Sequence, residues 1–208
     1  MNQMALFGEL PFRLPKPSEP IMREADVEGD YRWTLVRRWG GGPCIAWVGL
    51  NPSHANAERD DMTVTREMRW SLAWGFGSMI KLNIYPFRSP TTDKLWSWLK
   101  RLDDGDVACR EAWIRNCEGA TAAVAECAMF VAAWGNGARA AEVDAFLEAA
   151  DYALVDENAA VGDPNYRFPA ITWHCLGKTN NGAPTHTSAR GLHRIPDDVK
   201  PVIWRQGT

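Results

Sequence analysis

One segment dominates the pattern of the chain: Cys44-Ile45-Ala46-Trp47-Val48-Gly49-Leu50-Asn51-Pro52-Ser53. Its first residues are mostly apolar and a turn follows from Gly49, which is typical of a buried strand that ends abruptly. Asn51 then lies at the carboxyl end of this strand, where ligands bind in open α/β sheets. Pro52 disfavours helical geometry at Asn51, so we expect the Asn51 amide to point away from the sheet.

The segments around this strand alternate between strand and helix patterns. Tyr31–Arg38 alternates in polarity and Gly40-Gly41-Gly42-Pro43 then turns the chain, which predicts a β-hairpin leading into the Cys44 strand. Further strands are predicted at 78–85, 128–134, 152–155 and 170–176, and helices at 63–74, from 92, at 106–126 with a break at Gly119, and at 138–150. This order predicts a three-layer α/β sandwich with a mostly parallel central sheet and an added N-terminal hairpin.

The length of the chain, 208 residues, favours one domain that is large enough to bury a substantial core. Residues 1–30 carry Pro11, Pro15, Pro17 and Pro20 among charged residues. We therefore predict an irregular N-terminal arm over residues 1–30 and a single α/β catalytic domain over residues 31–208.

Composition narrows the classes of partner. A net charge of −3 argues against bulk electrostatic coating of nucleic acid, although it leaves room for a local basic cleft. The five cysteines are odd in number and form no Cys-x-x-Cys pair, so we expect free thiols, no metal and no cofactor. No apolar run approaches the ~20 residues of a membrane span, so we expect a soluble, cytoplasmic protein without a membrane partner.

Polar residues follow several of the predicted strands. Asn51 follows the first buried strand, Asn83 ends the next, Gly135-Asn136-Gly137 follows the third, and His186 lies in the loop after the last. The carboxyl ends of parallel strands meet at one edge of a sheet, where ligands bind. We therefore expect these residues to share one cleft.

Short motifs in these positions resemble two families. Gly49-Leu50-Asn51-Pro52-Ser53 is similar to the Gly-x-Asn-Pro-Gly motif of the mismatch-specific branch of the uracil-DNA glycosylase superfamily, and Asn83, Ala133-Trp134-Gly135 and His186-Thr187-Ser188 follow in a similar order. More of the chain, about Tyr31 to His186, resembles a prokaryotic and phage family catalogued as a domain of unknown function. The motifs that carry this second resemblance are Leu50-Asn51-Pro52-Ser53, Asp60-Asp61-x-Thr63-x-x-Arg66, Ala133-Trp134-Gly135 and Leu176-Gly177-Lys178-Thr179-x-x-Gly182-x-Pro184-x-His186.

The glycosylase resemblance implies a uracil-DNA glycosylase-like fold and the excision of a base from DNA. Breaking an N-glycosidic bond builds positive charge on the sugar and negative charge on the departing base. Asn51 would orient the attacking water, Asp60 or Asp61 would supply a carboxylate, and His186 would donate to the base. Asn83 could read the Watson–Crick edge of a flipped pyrimidine.

The same resemblance implies binding residues and a substrate. Ser53 stands where strict uracil enzymes place a tyrosine, so the pocket is expected to admit a 5-substituted pyrimidine such as glucosylated hydroxymethylcytosine, in defence against phage. The partner is then double-stranded DNA with a flipped base, and no obligate protein partner is evident. Expected substrate-binding residues are Gly49, Leu50, Pro52, Ser53, Asn83 and Trp134, and expected DNA-phosphate contacts are Arg66, Arg88, Gly135, Gly137, Lys178, Ser188 and Arg190.

Other interpretations stay open at this point. Gly135-x-Gly137-x-x-Ala140 with Asp156 matches the spacing of a Rossmann dinucleotide-binding fingerprint, and a non-enzymatic binding module is a third alternative. Asp60 and Asp61 could simply cap the next helix, Asn83 could be a turn residue, and His186 could be a surface histidine. Scattered cations such as Lys81 are usually solvated surface residues.

Overall fold

The computed structural model describes residues 20–89, 91–154 and 170–206, and these residues form a seven-stranded sheet with helices packed against it. The strands are β1 Met22–Glu28, β2 Tyr31–Arg38, β3 Cys44–Gly49, β4 Ser78–Asn83, β5 Cys127–Ala132, β6 Trp173–Cys175 and β7 Val202–Arg205. The α-helices are α1 Met62–Ala73, α2 Thr92–Asp103, α3 Val107–Val124 and α4 Ala140–Tyr152. The strand order across the sheet is β1-β2-β4-β3-β5-β6-β7.

The centre of the sheet is parallel and its edges are antiparallel. Strands β4, β3, β5 and β6 pair in parallel, whereas β1, β2 and β7 join by antiparallel pairing. The register of β3 and β4 places Gly49 opposite Asn83, so the carboxyl ends of both strands lie side by side. The expectation of a mostly parallel sheet is therefore correct for the central strands and not for the edges.

Helices cover both faces of the parallel centre. Ile45 and Trp47 point to the face covered by α1, while Ala46 and Val48 point to the face covered by α2, α3 and α4. Because successive side chains of a strand alternate between faces, a strand buried on both sides has an almost uninterrupted apolar sequence. This explains why β3 was so prominent in the sequence, and it gives the mixed α/β, layered architecture that was expected.

The N-terminal part of the sheet differs from the prediction. Met22–Glu28, expected within an irregular arm, forms edge strand β1, and β1 rather than β3 is the hairpin partner of β2. Strand β2 pairs on its other side with β4, so no β2–β3 hairpin exists. Charged residues dominate β1, as is common in exposed edge strands, and they conceal the strand signal. Residues 1–19 of the expected arm lie outside the described residues.

Two other element predictions were wrong. A break was expected at Gly119, but helix α3 continues through this residue with helical geometry. Gly119 lies beside Thr34 of β2. A short strand was expected at 152–155, but Tyr152 is the last residue of α4. Val155 lies outside the described residues. Strand β7 was not predicted at all. None of the described helices is long and apolar enough to cross a membrane.

Gly119→Ala should stabilise the fold. A Cβ at this position would meet only Thr34 Cγ2, at 3.8 Å. Since glycine is a poorer helix former than alanine, we expect the free energy of unfolding to rise by about 0.5–1 kcal/mol in urea titrations.

Gly77→Ala is the matched control, because its Cβ would lie 2.3 Å from the carbonyl oxygen of Gly41. This variant should lose about 1–3 kcal/mol through overpacking. A loss of stability in Gly119→Ala would show that the helix is strained or interrupted at this glycine.

Candidate active site

A polar cavity of about 170 Å³ lies at the carboxyl ends of β3 and β4. It collects residues from β2, the β3–α1 loop, the start of α1, β4 and the loop that follows β6. The residues that line it are Arg32, Gly49, Leu50, Asn51, Ser53, Asp61, Thr63, Val64, Lys81, Asn83, Ser89 and His186. Asn51, Asn83 and His186, which were expected to share one cleft, are therefore brought together, and Asp61 joins them. The Gly135–Gly137 turn, expected in the same cleft, is not part of the cavity wall.

Asn51 is fixed by the loop that follows β4. Its side-chain Nδ2 donates to the backbone oxygens of Ser89 at 2.9 Å and of Pro52 and Phe87 at 3.3 Å. These contacts orient the amide group. Its Oδ1 has no hydrogen-bond partner among the described residues, and it is the atom that can accept a hydrogen bond from a water or a ligand.

The two neighbouring aspartates have separate roles. Asp61 lines the cavity, where its Oδ1 accepts from the Val64 amide at 2.8 Å as the N-cap of α1 and its Oδ2 accepts from the Ser53 hydroxyl. Asp60 is absent from the cavity wall and instead forms 2.8 Å ion pairs with Arg37 and Arg23. Of the two carboxylates proposed from the sequence, Asp61 is the one at the site, and Asp60 holds β1 and β2 to the loop.

His186 faces the cavity as a neutral imidazole. Burial, together with the positive charge of Lys81, lowers the pKa of His186 to about 4, against the opposing effect of Asp61. The Ser188 amide donates to His186 Nδ1 at 3.0 Å, which places the ring proton on Nε2. At neutral pH the ring can therefore donate one hydrogen bond through Nε2 without carrying charge.

Asn83 is buried, with 1% of its surface exposed, and its Nδ2 has no hydrogen-bond partner among the described residues. Buried amides are rarely left unpaired, so this donor is available to a water or a ligand in the cavity. Gly49 allows the arrangement, because a Cβ there would lie 2.9 Å from both Asn83 Oδ1 and Lys81 Nζ. Gly49 is thus required by the two side chains packed over it.

A buried ion pair beneath the cavity was missed in the sequence. Lys81, which projects from β4, donates from Nζ to Oε1 of Glu67 of α1 at 2.7 Å, and their side chains are 5% and 0% exposed. The Thr187 hydroxyl donates to the same carboxylate oxygen at 3.0 Å. Burial raises the pKa of Glu67 and the Lys81 ammonium opposes that rise. The overlooked signal was the lone charge of Lys81 in the apolar strand β4, whereas Glu67 gives no such signal because Arg66 and Arg69 are close to it in α1.

Arg32 is a second buried cation in the cavity wall. It is 2% exposed, donates to the Ala55 oxygen at 2.8 Å, and its Nε lacks a hydrogen-bond partner among the described residues. Burial lowers its pKa to about 10, so it stays charged at neutral pH. Arg32 and Lys81 thus place two cations in the cavity wall, and Glu67 balances the charge of Lys81.

Several expected substrate and phosphate contacts do not lie at the cavity. Pro52 is buried beside it, and Trp134 packs in the core against Trp204 with ring centres 5.1 Å apart. Gly135 donates its amide to the Pro184 oxygen at 2.9 Å, and Gly137 abuts Leu50, where a Cβ would be 2.6 Å from Leu50 Cδ2. Gly135 is buried with its amide committed to Pro184, whereas Gly137 is partly exposed and is required to be small by Leu50.

The same geometry weakens the Rossmann interpretation. Gly135–Gly137 forms a short 3-10 turn, and α4 begins only at Ala140. The first glycine of the motif has committed its amide to Pro184. Asp156, the expected ribose ligand, lies outside the described residues.

The cations expected to bind DNA phosphates differ in their surroundings. Arg66 is a structural residue, because it donates to the Thr187 and Ile195 oxygens, pairs with Asp197 at 3.5 Å and lies over Trp70. Lys178 is exposed and donates to the Trp204 oxygen at 3.4 Å.

Three expected contacts remain beside or outside the cavity. Ser188 bonds through its hydroxyl to Thr63 of the cavity wall at 2.6 Å, and Arg190 is exposed. Arg88 is next to Ser89 of the cavity wall and electrostatically influences Arg32; its Nε is buried without a hydrogen-bond partner in the described part of the chain.

Fold and cavity together define an α/β protein with a polar site at the carboxyl ends of its parallel strands. A family model described as "Protein of unknown function (DUF1643)" matches residues 32–187, a range that includes every residue lining the cavity. The chain belongs to this family, which confirms the resemblance to a domain of unknown function. Comparison with curated proteins gave no match, and comparison with solved structures gave none either.

The roles of the two aspartates can be separated by stability measurements. Asp60→Asn should lower the free energy of unfolding by about 2–3 kcal/mol, because Arg37, whose side chain is fully buried, loses its charged partner. Asp61→Asn should change it by less than about 1 kcal/mol, because asparagine also caps helices. Urea unfolding of both variants tests this, and an equal loss in both would refute the division.

The pKa of His186 predicts a pH-dependent contribution to stability. The unfolded state takes up a proton near pH 6.5 and the folded state only near pH 4, so the contribution is intact above pH 6.5 and is lost as pH falls toward 4. As pH falls from 6.5 to 4, the free energy of unfolding of the wild type should therefore decrease by about 3 kcal/mol relative to that of His186→Gln. A constant difference would mean that His186 titrates normally.

Proposed function

We propose that this protein is a DNA glycosylase that flips a pyrimidine nucleotide into the cavity and hydrolyses its N-glycosidic bond, leaving an abasic site. The observation that carries the proposal is the convergence of Asn51, Asp61, Asn83 and His186 on one cavity, although they are distant in sequence. An acceptor, a carboxylate, an unpaired amide donor and a neutral imidazole are together what such a reaction needs.

The dimensions of the cavity favour a single base. Pockets for drug-sized ligands hold roughly 300–1,000 Å³. A cavity of about 170 Å³ is too small for a dinucleotide but suits one pyrimidine ring. The sugar and phosphates of a flipped nucleotide would then remain at the cavity mouth.

On the sugar side, Asn51 and Asp61 would act on the attacking water. Asn51 Oδ1 can accept one hydrogen bond from the water, while the Asp61 carboxylate can accept another and take the proton as oxygen bonds to the sugar carbon. The carboxylate also stabilises the positive charge that develops on the sugar. Ser53 and the Val64 amide hold Asp61 in position for both tasks.

On the base side, His186 and Lys81 would stabilise the departing anion. His186 Nε2–H can donate a hydrogen bond to a pyrimidine carbonyl oxygen as negative charge develops on the base. The neutral ring keeps this proton and does not transfer it to the base. The Lys81 ammonium adds a fixed positive charge in a site shielded from water. Asn83 would bond the Watson–Crick edge through its unpaired Nδ2.

The substrate class follows from the residue that faces the pyrimidine in the resembling enzymes. Ser53 is small, and its hydroxyl donates to Asp61. Because the cavity holds about one pyrimidine ring, a substituent as large as a glucosyl group at the 5-position would extend past Ser53 and out of the cavity mouth. We therefore include 5-substituted pyrimidines in the proposal, with glucosylated hydroxymethylcytosine of phage DNA as the specific candidate and antiphage defence as the role. Arg88, which precedes Ser89 of the cavity wall, is the cation that we propose to meet a DNA phosphate.

Duplex oligonucleotides that carry uracil, hydroxymethylcytosine or glucosylated hydroxymethylcytosine test the reaction directly. After incubation, alkaline cleavage of abasic sites should produce strand breaks with a 5-substituted base in preference to uracil. Asn51→Ala and Asp61→Asn should each lower the single-turnover rate by at least ~100-fold, the usual contribution of a positioned acid or base.

Asp60→Asn is the matched control, because it removes a neighbouring carboxylate that does not line the cavity. It should keep its excision rate at temperatures where it is folded. An absence of abasic sites with every substrate, or full activity in Asp61→Asn, would refute the glycosylase proposal. Activity on uracil alone, or equal activity on all three bases, would refute the proposed preference.

A further inference from the structure

Two cysteines face each other at the end of the sheet opposite the polar cavity. Cys44 is the first residue of β3 and Cys127 the first residue of β5, and the register of these parallel strands pairs them directly. Their sulfur atoms are 3.3 Å apart, close enough for the Cys127 thiol to donate to Cys44 Sγ. The proposed excision reaction uses neither residue.

A second cavity gives access to Cys44. It measures about 420 Å³, and Cys44 lies in its wall beside Ser78, Arg38 and Glu126. The glycine-rich turn that joins β2 to β3 forms another part of this wall. Cys44 is only partly buried, so a small solute in this cavity can reach its sulfur.

The surroundings of the two cysteines give their thiols different pKa values. The hydrogen bond from Cys127 lowers the pKa of Cys44 to about 7, with further help from Ser78 and against the effect of burial. The same bond and burial raise the pKa of Cys127. Cys44 lines the cavity and Cys127 does not, so a solute meets Cys44 first. We therefore assign Cys44 as the nucleophile and Cys127 as the thiol that supports it, because the thiolate is the reactive form of cysteine.

We propose that Cys44 and Cys127 are a redox-active pair that a hydroperoxide converts to a reversible disulfide. In the first step the Cys44 thiolate attacks a peroxide oxygen, the O–O bond breaks, and the leaving hydroxide takes up a proton to form water. Cys44 is then a sulfenic acid. In the second step Cys127 loses its proton and attacks Cys44 Sγ, the S–O bond breaks, and the hydroxide leaves with that proton as a second water.

The balance of this reaction is complete. Two thiols and one hydrogen peroxide give one disulfide and two waters, with the sulfurs oxidised and the peroxide oxygens reduced. A dithiol reductant reverses it by thiol–disulfide exchange.

The pairing of the two strands favours the bond, because Cys44 and Cys127 are partners in the register of β3 and β5. Neighbouring strands lie about 4.8 Å apart, within the Cα separations of roughly 4.4–6.8 Å found for disulfides. The sulfurs must approach by about 1.3 Å from their present 3.3 Å to reach bonding distance. Among the described residues, no other two cysteines form a sulfur–sulfur contact, so the reaction should be specific to this pair.

The direct test is oxidation of the full chain followed by peptide mapping. The reduced wild-type protein is treated with a small molar excess of hydrogen peroxide, alkylated, digested and analysed by mass spectrometry. We expect two of the five thiols to be lost and a Cys44–Cys127 cross-linked peptide to appear, and dithiothreitol should restore both thiols. Retention of all five thiols, or a different pairing, would overturn the proposal.

Two variants test the order of the steps. In Cys127→Ser the sulfenic acid at Cys44 has no thiol to resolve it, so dimedone should label Cys44. In Cys44→Ser no label should appear on Cys127, and Cys117→Ser, a partly buried cysteine outside the pair, should behave as the wild type. Labelling of Cys127 in place of Cys44 would overturn the assignment. These measurements do not involve DNA, so their outcome is independent of whether the protein is a glycosylase.

Discussion

The buried ion pair between Lys81 and Glu67 is the constraint on which the site depends. Burying two charges costs several kcal/mol unless each is well paired, so the Lys81 ammonium and the Glu67 carboxylate must meet in the folded protein. Their contact fixes α1 against β4, and the hydroxyl of Thr187 attaches the late loop to the same carboxylate. Each of these elements carries one group of the cavity: α1 is capped by Asp61, β4 ends at Asn83, and the loop bears His186.

This coupling also sets the electrostatics of the cavity. The ammonium that pairs with Glu67 is the charge that, after burial, keeps His186 neutral. The same residue therefore positions the imidazole indirectly and determines its protonation state. A site assembled in this way places a neutral donor beside a fixed positive charge, which is suited to receiving an anion that forms only during the reaction.

The sequence predicted most of what local pattern controls. Strand β3, strand β4 and the four helices were recognised because their apolar spacing is strong, and the placement of Asn51, Asn83 and His186 at one edge followed from the parallel topology. Edge strand β1 was missed because its charged residues carry no apolar alternation, and the hairpin partner of β2 depends on contacts distant in sequence. The roles of Lys81 and Glu67 were missed for a similar reason: only the packing of α1 on β4 brings them together.

Asp60 and Asp61 show that a short motif predicts the type of chemistry but not which of its residues lines the site. Asp60 and Asp61 are adjacent and chemically identical, yet one pairs with Arg37 in a structural ion pair and the other lines the cavity. The turn at Gly135–Gly137 resembles a phosphate-binding loop in sequence, but its surroundings are His186, Pro184 and Leu50. In both cases the residue types suggested the chemistry, and the three-dimensional partners decided which atoms are available for it.

The most direct test is a crystal structure of the Asp61→Asn protein bound to a duplex that contains an uncleaved 5-substituted pyrimidine. We predict that this nucleotide is flipped out of the helix, with its ring in the cavity, its Watson–Crick edge at Asn83 and a carbonyl oxygen at His186 Nε2. A complex in which every base remains stacked, or in which the DNA binds a surface remote from the cavity, would contradict it.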